Sequence, residues 1–312
     1  MSGKKLMPYL ELSSAMIIVG STVVIGKVIT SGFPVFLASG LRFAISSVIL
    51  LPILLKANNG FPALRRKDVS ILFLQSFAGN FLFSIFLLYG LRLTSAAESG
   101  IIIGTTSAVI ALISFLFLRE KMTWNSSAGV VLATFGVVVI NFLGSSLRLE
   151  QGSNPVLGNL LVLGAVIGEA LWTILGKVVS GKVTTLTIAS LTSFFGLLMF
   201  LPFAIYEARS FDFSAVPPAS WIPIVYYGIA TVGAYILWYR GVAKVAANTA
   251  GVFTGILPVS AILLSYVVLK EQVLWSHWVG ILCVLAAIVL MTWGSQGTKR
   301  QTALPRGHDN EF

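Results

Sequence analysis

Among the charged side chains that fall inside long apolar runs in this sequence, two lie deepest. Glu169 lies twelve residues into its run, about 18 Å along a helix and near the middle of a hydrocarbon layer. A carboxylate at that depth is disfavoured unless it is paired, hydrated or protonated. It therefore points to handling of a cationic group or a proton, with a structural ion pair as the alternative. Trp172, Thr173 and Gly176 follow at i+3, i+4 and i+7 and share its helix face. Arg42 sits seven residues in from the end of another run, at about 10 Å depth. It cannot readily lose its charge and needs an acid, carbonyls or water. Glu169 is its natural partner, Glu98 the alternative acid, and an anionic ligand group the functional reading.

Polar stripes continue the theme. Ser76, Asn80 and Ser84 recur at i, i+4 and i+8, and Tyr227, Thr231 and Tyr235 do the same in a later run, with Trp238 extending the row. A polar face in lipid must look inward, so the two stripes read either as opposite walls of one cavity or as interhelical hydrogen-bonding pairs. Gly100 and Gly104, and again Gly251 and Gly255, form GxxxG patterns that let backbones approach, as packing or as a pivot. Pro258 frees backbone groups and kinks its helix, whereas its counterpart is Ser107. Lys27 and Lys177 read as snorkelling stems or as entrance charges on opposite sides. Arg119-Glu120-Lys121 and Lys270-Glu271 read as helix-end and interface anchors.

Elements able to carry these groups follow from composition. The 312 residues are 56% apolar and only 10% charged, too little charge to cover the surface of a water-soluble domain. Apolar runs occur at about 10–30, 34–55, 69–91, 95–117, 123–142, 157–179, 184–206, 220–243, 246–269 and 275–294. Lipid supplies no hydrogen-bond partners, and runs of this length are too long for barrel strands, so an all-α membrane protein with ten transmembrane helices is expected. The sequence also repeats itself. Gly26-Lys27-Val28 recurs as Gly176-Lys177-Val178, and Leu51-Pro52 as Leu201-Pro202. Gly90, Ala96, Ser114, Leu118, Glu120, Trp124 and Gly129 recur as Gly241, Ala247, Ser265, Leu269, Glu271, Trp275 and Gly280. Residues 1–147 and 148–296 are thus expected as two five-helix repeats, inverted because five is odd, with 297–312 as a short tail.

Charge gives the orientation. With the ten runs in place, 15 of the 21 Lys and Arg residues fall on the side of the N-terminus, so both termini are expected in the cytoplasm, in a bacterial inner membrane. The net charge of +10 is then a topology signal and calls for no nucleic acid. The first run lacks a small-residue cleavage site and reads as a retained span. Trp124, Trp221, Trp238, Trp275, Trp278 and Trp293 fall near run ends, at the headgroup level, while Trp172 is mid-run. The single cysteine, Cys283, excludes an intrachain disulfide. No phosphate-binding loop, HExxH or paired intramembrane aspartate is visible, so neither an ATP-driven pump, an enzyme nor a metal or cofactor site is expected.

With the ten runs and the five-plus-five repeat, Tyr89 to Ala97 leading to Leu118-Arg119-Glu120, and its echo Gly241 to Ala247 leading to Leu269-Lys270-Glu271, resembles the EamA-like members of the drug/metabolite transporter superfamily over nearly the whole chain. The resemblance implies a central cavity lined mainly by spans 1, 3, 6 and 8, with spans 4 and 9 behind and 5 and 10 peripheral. It also implies secondary transport, generally export of amino acids, metabolites or drugs, by alternating access, with a facilitative pore as the competing class. Protons are a candidate coupling ion, the lipid bilayer a certain neighbour, and a second copy of the chain a candidate partner. Arg42, Glu169 and Pro258 lack counterparts in the other half, which marks them for specificity.

Overall fold

The computed structural model describes residues 3–30, 32–93, 102–103, 105–120, 122–144, 154–269 and 275–301, and the described residues form helices without strands. Long apolar stretches leave the backbone only its own carbonyls as partners, which is why almost every one closes as a helix. The helices are α1 Gly3–Thr30, α2 Val35–Ala57, α3 Arg66–Ser76, α4 Phe83–Leu93, α5 Thr106–Ile113, α6 Trp124–Gly144, α7 Pro155–Ser180, α8 Thr185–Ala208, α9 Trp221–Val242, α10 Ala247–Phe253, α11 Ile256–Leu269 and α12 Trp275–Gln301. Seven stretches are long and apolar enough to cross a membrane: Leu6–Gly26, Val35–Ala57, Arg66–Gly90, Pro155–Ser180, Thr185–Ala208, Pro218–Val242 and Ala247–Val268. Shorter apolar helices at Thr106–Leu118, Trp124–Val139 and His277–Leu290 lie in the fourth, fifth and tenth runs. The protein is a multi-pass integral membrane protein.

Local chemistry sets the ends. Asn154 caps α7 by accepting the Leu157 N–H, with Pro155 in the first turn, and Thr184 caps α8 by accepting the Thr187 N–H. Between α2 and α3 the chain turns through Asn59 and Gly60 at φ of 51° and 134°, a conformation glycine adopts freely. Three long runs are not regular helices, the fourth ending in a π-helical turn at Ser114–Leu118. A π-helical turn, Phe77–Leu82, joins α3 to α4, and one extra residue per turn rotates the polar stripe partway along. The ninth run breaks between α10 and α11. There Thr254, Gly255 and Leu257 donate to carbonyls three residues back, and Pro258, which has no N–H, follows within the first turn of α11.

The packing is pairwise. α1 runs along α9 and α11, α7 along α4 and α5, α2 along α8, and α6 along α12. Leu12, Phe43, Leu50, Leu72, Val179, Phe200, Trp238, Tyr239 and Phe253 meet in the main core. Gly251 packs on Ile110 and Gly255 on Val284, so this GxxxG pair serves packing; Gly100 and Gly104 lie outside the described residues. Another close approach joins α6 and α12: a Cβ on Gly136 would stand 2.8 Å from the Gly280 carbonyl oxygen. Trp124, Trp275 and Trp278 are exposed as interfacial rings should be. Trp238 departs from that expectation. It is fully buried in the core, because its ring faces α7 rather than the bundle exterior.

Candidate functional site

A column of polar side chains runs down the centre of the bundle. At one end Arg42, on α2, donates from Nε to the Thr231 hydroxyl at 2.7 Å and from a terminal nitrogen to the Tyr227 hydroxyl at 3.0 Å. It also interacts with Tyr235 and lies 4.6 Å over the Tyr227 ring and 4.9 Å over the Phe43 ring. α2 is anchored beside α8 because the Glu207 carboxylate accepts the Leu37 N–H at 2.7 Å, an anion at a helix N-terminus. That anchor fixes the rotation that turns Arg42 toward α9.

In the next layer the Tyr235 hydroxyl donates to Asn80 Oδ1 at 2.9 Å, Asn80 Nδ2 donates to the Ser76 hydroxyl at 3.1 Å, and Ser76 donates to the Thr192 carbonyl at 3.0 Å. The third and eighth runs therefore meet by direct hydrogen bonds, the bonded alternative of the two readings, at the level of Asn80. Ser84 turns back on its own helix and donates to the Asn80 carbonyl at 2.7 Å. The π-helical turn brings Gln75 inward beside Ser76. Gln75 donates to the Tyr239 hydroxyl at 3.0 Å and to the Trp172 carbonyl at 2.9 Å.

Trp172 is the hub of an aromatic cluster. Its ring stacks on Trp238 at 5.7 Å and tilts against Tyr239 at 5.5 Å and Tyr235 at 5.8 Å. Gly79 makes room for it, since a Cβ there would overlap Trp172 at 2.2 Å. Thr173 is fully buried, with its hydroxyl unpartnered among the described residues. Glu169 does not pair with Arg42. Its carboxyl interacts with the Thr106 hydroxyl on α5, while Arg42 faces α9. Depth along a helix was readable in the sequence; the direction each side chain faces around it was not. Glu98, the other acid considered for Arg42, lies outside the described residues.

Several residues that sequence reasoning passed over belong to the assembly. Gln75, Tyr239 and Thr192 complete the column. On the side of the N-terminus, Glu11 pairs with Arg240 at 3.0 Å and Lys244 at 2.7 Å. Lys177 does not snorkel: its ammonium donates to the Val242 and Ala243 carbonyls at 2.9 and 3.2 Å, capping α9. Glu120 acts as the helix-end anchor expected of it. Its carboxylate accepts the Ala247 and Asn248 N–H groups at 2.8 and 3.1 Å and also the Ser114 hydroxyl. No group of His, Cys, Asp and Glu suited to a metal ion occurs among the described residues.

The link between Glu120 and the start of α10 joins the two signature segments that the sequence repeats. The model of the EamA-like transporter family matches residues 7–142 and again 156–293. The chain belongs to that family. Among relatives of this EamA-like protein, an uncharacterized transporter of Bacillus subtilis, YetK, is 48% identical over 288 residues, covering 91% of this chain and 86% of its own length. A protein of Streptantibioticus cattleyicolor named "Probable terminal-alkyne amino-acid exporter" is 24% identical over 245 residues, covering 77% of this chain and 79% of its own. One solved crystal structure superimposes with a TM-score of 0.75 at 20% identity, covering 91% of this chain and 98% of that one, and at that identity it shows the fold alone. Family and relatives are transporters, not enzymes.

Proposed function

We propose that this EamA-like transporter is a secondary exporter that moves small zwitterionic metabolites, amino acids foremost, by alternating access across a bacterial inner membrane. One observation carries the reading: inside an apolar bundle, the described partners of the Arg42 guanidinium are the hydroxyls of Thr231, Tyr227 and Tyr235 and two ring faces, none of them an acid. Such a cation is suited to a substrate carboxylate, which would bring a charge that none of its described partners carries. Glu169 on α7 supplies the complementary site for an ammonium group or a coupling proton, and Trp172 and Tyr235 offer aromatic surface beside it. The name of the Streptantibioticus relative favours amino acids within this class.

Alternating access is favoured over a continuous pore because the column is packed shut at Gln75, Trp238 and Tyr239, each 1% exposed or less. Ten spans in two inverted halves, with both termini cytoplasmic, make up the proposed topology. Two features of the packing support it. Exchanging the halves exchanges observed contacts: α1 with α9 becomes α7 with α4, and α1 with α11 becomes α7 with α5. At finer scale, a Cβ on Gly90 would meet the Gly158 carbonyl at 3.1 Å beside Val162. One on the repeat-related Gly241 would meet the Pro8 carbonyl at 3.1 Å beside Leu12. Protons as coupling ion and a homodimeric assembly complete the proposal.

Counterflow in proteoliposomes, run against a panel of amino acids and small metabolites, tests the reading. Saturable counterflow of a zwitterion that is lost in Arg42→Gln supports it. Non-saturating flux, or counterflow unaffected by Arg42→Gln, overturns it.

A further inference from the structure

We propose that Gln75, Trp172, Thr192 and Tyr239 form a second recognition layer in the column, one that selects a neutral substrate side chain able both to donate and to accept a hydrogen bond, a hydroxyl or a carboxamide. The proposal rests on the zwitterion reading above and adds what the uncharged part of the substrate must carry.

The four residues converge on one hydroxyl. Gln75 donates through its amide nitrogen to the Tyr239 hydroxyl at 3.0 Å and to the Trp172 carbonyl at 2.9 Å. A carbonyl can only accept, so the amide is held in this orientation, and its oxygen, Oε1, has no partner among the described residues. The Thr192 hydroxyl and the Trp172 indole nitrogen both approach the Tyr239 hydroxyl, yet neither completes a hydrogen bond. Gln75, Thr192 and Tyr239 have no exposed surface. Buried polar atoms without partners are rare, because each forfeits the hydrogen bonds it makes in water. Here an acceptor, a donor and a hydroxyl that can serve as either are left over around one phenol. The Trp238 indole nitrogen, on the ring stacked against Trp172, is unpartnered as well.

The layer is distinct from the Arg42 level. Tyr239 lies near the end of α9, where Glu11 of α1 pairs with the adjacent Arg240, whereas Arg42 bonds Tyr227 and Thr231 in the first half of that helix. Trp172 joins the two levels, its ring against Tyr235 of one and Tyr239 of the other. No charged side chain belongs to the layer, since Glu169 is engaged with Thr106 and Lys177 with the end of α9. A charged side chain brought here would lack a counter-charge, and an aliphatic one would leave the same atoms unpaired. A hydroxyl or carboxamide satisfies them: it donates to Gln75 Oε1 and accepts the Trp172 indole N–H, with Thr192 able to do either. Sites built this way reject an analogue that lacks the polar group. Packing is tight at Gly176, where a Cβ would stand 2.7 Å from Gln75 Nε2, so the side chain is admitted as α7 moves away from α3.

Two measurements test this, one of them independent of any substrate. Thr192→Val keeps the shape and removes an unpartnered hydroxyl, so the melting temperature in detergent should rise. A fall means that the resting protein itself uses the hydroxyl, and overturns the layer. Counterflow in proteoliposomes then compares near-isosteric pairs, threonine with valine and asparagine with leucine. The hydroxyl or amide member should exchange about tenfold faster at low concentration, the worth of one buried hydrogen bond. Thr192→Val and Gln75→Met should each bring that ratio toward one. Equal exchange of both members in the parent, or a preference unchanged in both variants, overturns the proposal while leaving the zwitterion reading intact. If no zwitterion exchanges, the zwitterion reading falls instead, and the melting comparison decides the layer by itself.

Discussion

Arg42 shows what a single residue type can demand of its surroundings. Its planar fork donates in two directions at once, to Thr231 and to Tyr227, while its face rests on two rings. Lysine keeps the charge but reaches only one of those partners well. Arg42→Lys should therefore weaken apparent affinity about tenfold to a hundredfold with little change in membrane level, the span expected for losing one hydrogen bond to a charged group. Counterflow at graded substrate concentration measures it. Glu169→Gln keeps the shape and removes the charge. Uptake should fall steeply, with loss of its pH dependence if the carboxyl carries the coupling proton; wild-type uptake with an unchanged pH profile would make Glu169 a structural residue. Both residues were legible from depth alone, because a charge inside an apolar run announces itself. Their separation was not, since it depends on how α2 and α7 are rotated, and that is set by contacts such as Glu207 with Leu37.

Among the elements, irregular helices position the site more than regular ones do. The period of 3.6 placed Ser76, Asn80 and Ser84 on one face, yet Gln75 also faces the column because the π-helical turn follows directly. An inserted residue leaves no mark on a hydropathy pattern, so Gln75 was hidden beside a serine that was visible. Tyr239 was hidden differently. Its neighbours Trp238 and Arg240 read as an interfacial helix end, whereas α9 continues buried to Val242. The break at Thr254-Gly255 was readable, because Pro258 cannot donate to the ladder. Pro258→Ala restores that donor and should make α10 and α11 one stiffer helix. Turnover should slow while apparent affinity stays near wild type; equal changes in both would place Pro258 in binding instead. Gly136→Ala makes a control inside α6, where that helix packs on α12. Its Cβ would overlap the Gly280 carbonyl, so melting in detergent should shift down by the equivalent of about 1–3 kcal/mol with substrate affinity unchanged.

At the scale of the whole molecule, the two halves share a sequence pattern, and orientation decides which side of the membrane each faces. Lys and Arg resist translocation, so the side with 15 of 21 belongs in the cytoplasm if the ten runs all cross. An even number of spans per half would instead leave the two halves parallel. Two loop positions separate the possibilities. Asn58, in the turn after α2, should face the cytoplasm; Ser153, just before α7, lies five spans after the N-terminus and should face out. In a Cys283→Ala background, single cysteines at Asn58 and Ser153 should label from opposite faces with an impermeant maleimide, Asn58 only after the inner face is exposed. Labelling of both from one face would mean an even number of crossings between them, and the inverted arrangement, with its alternating gates, would have to be abandoned.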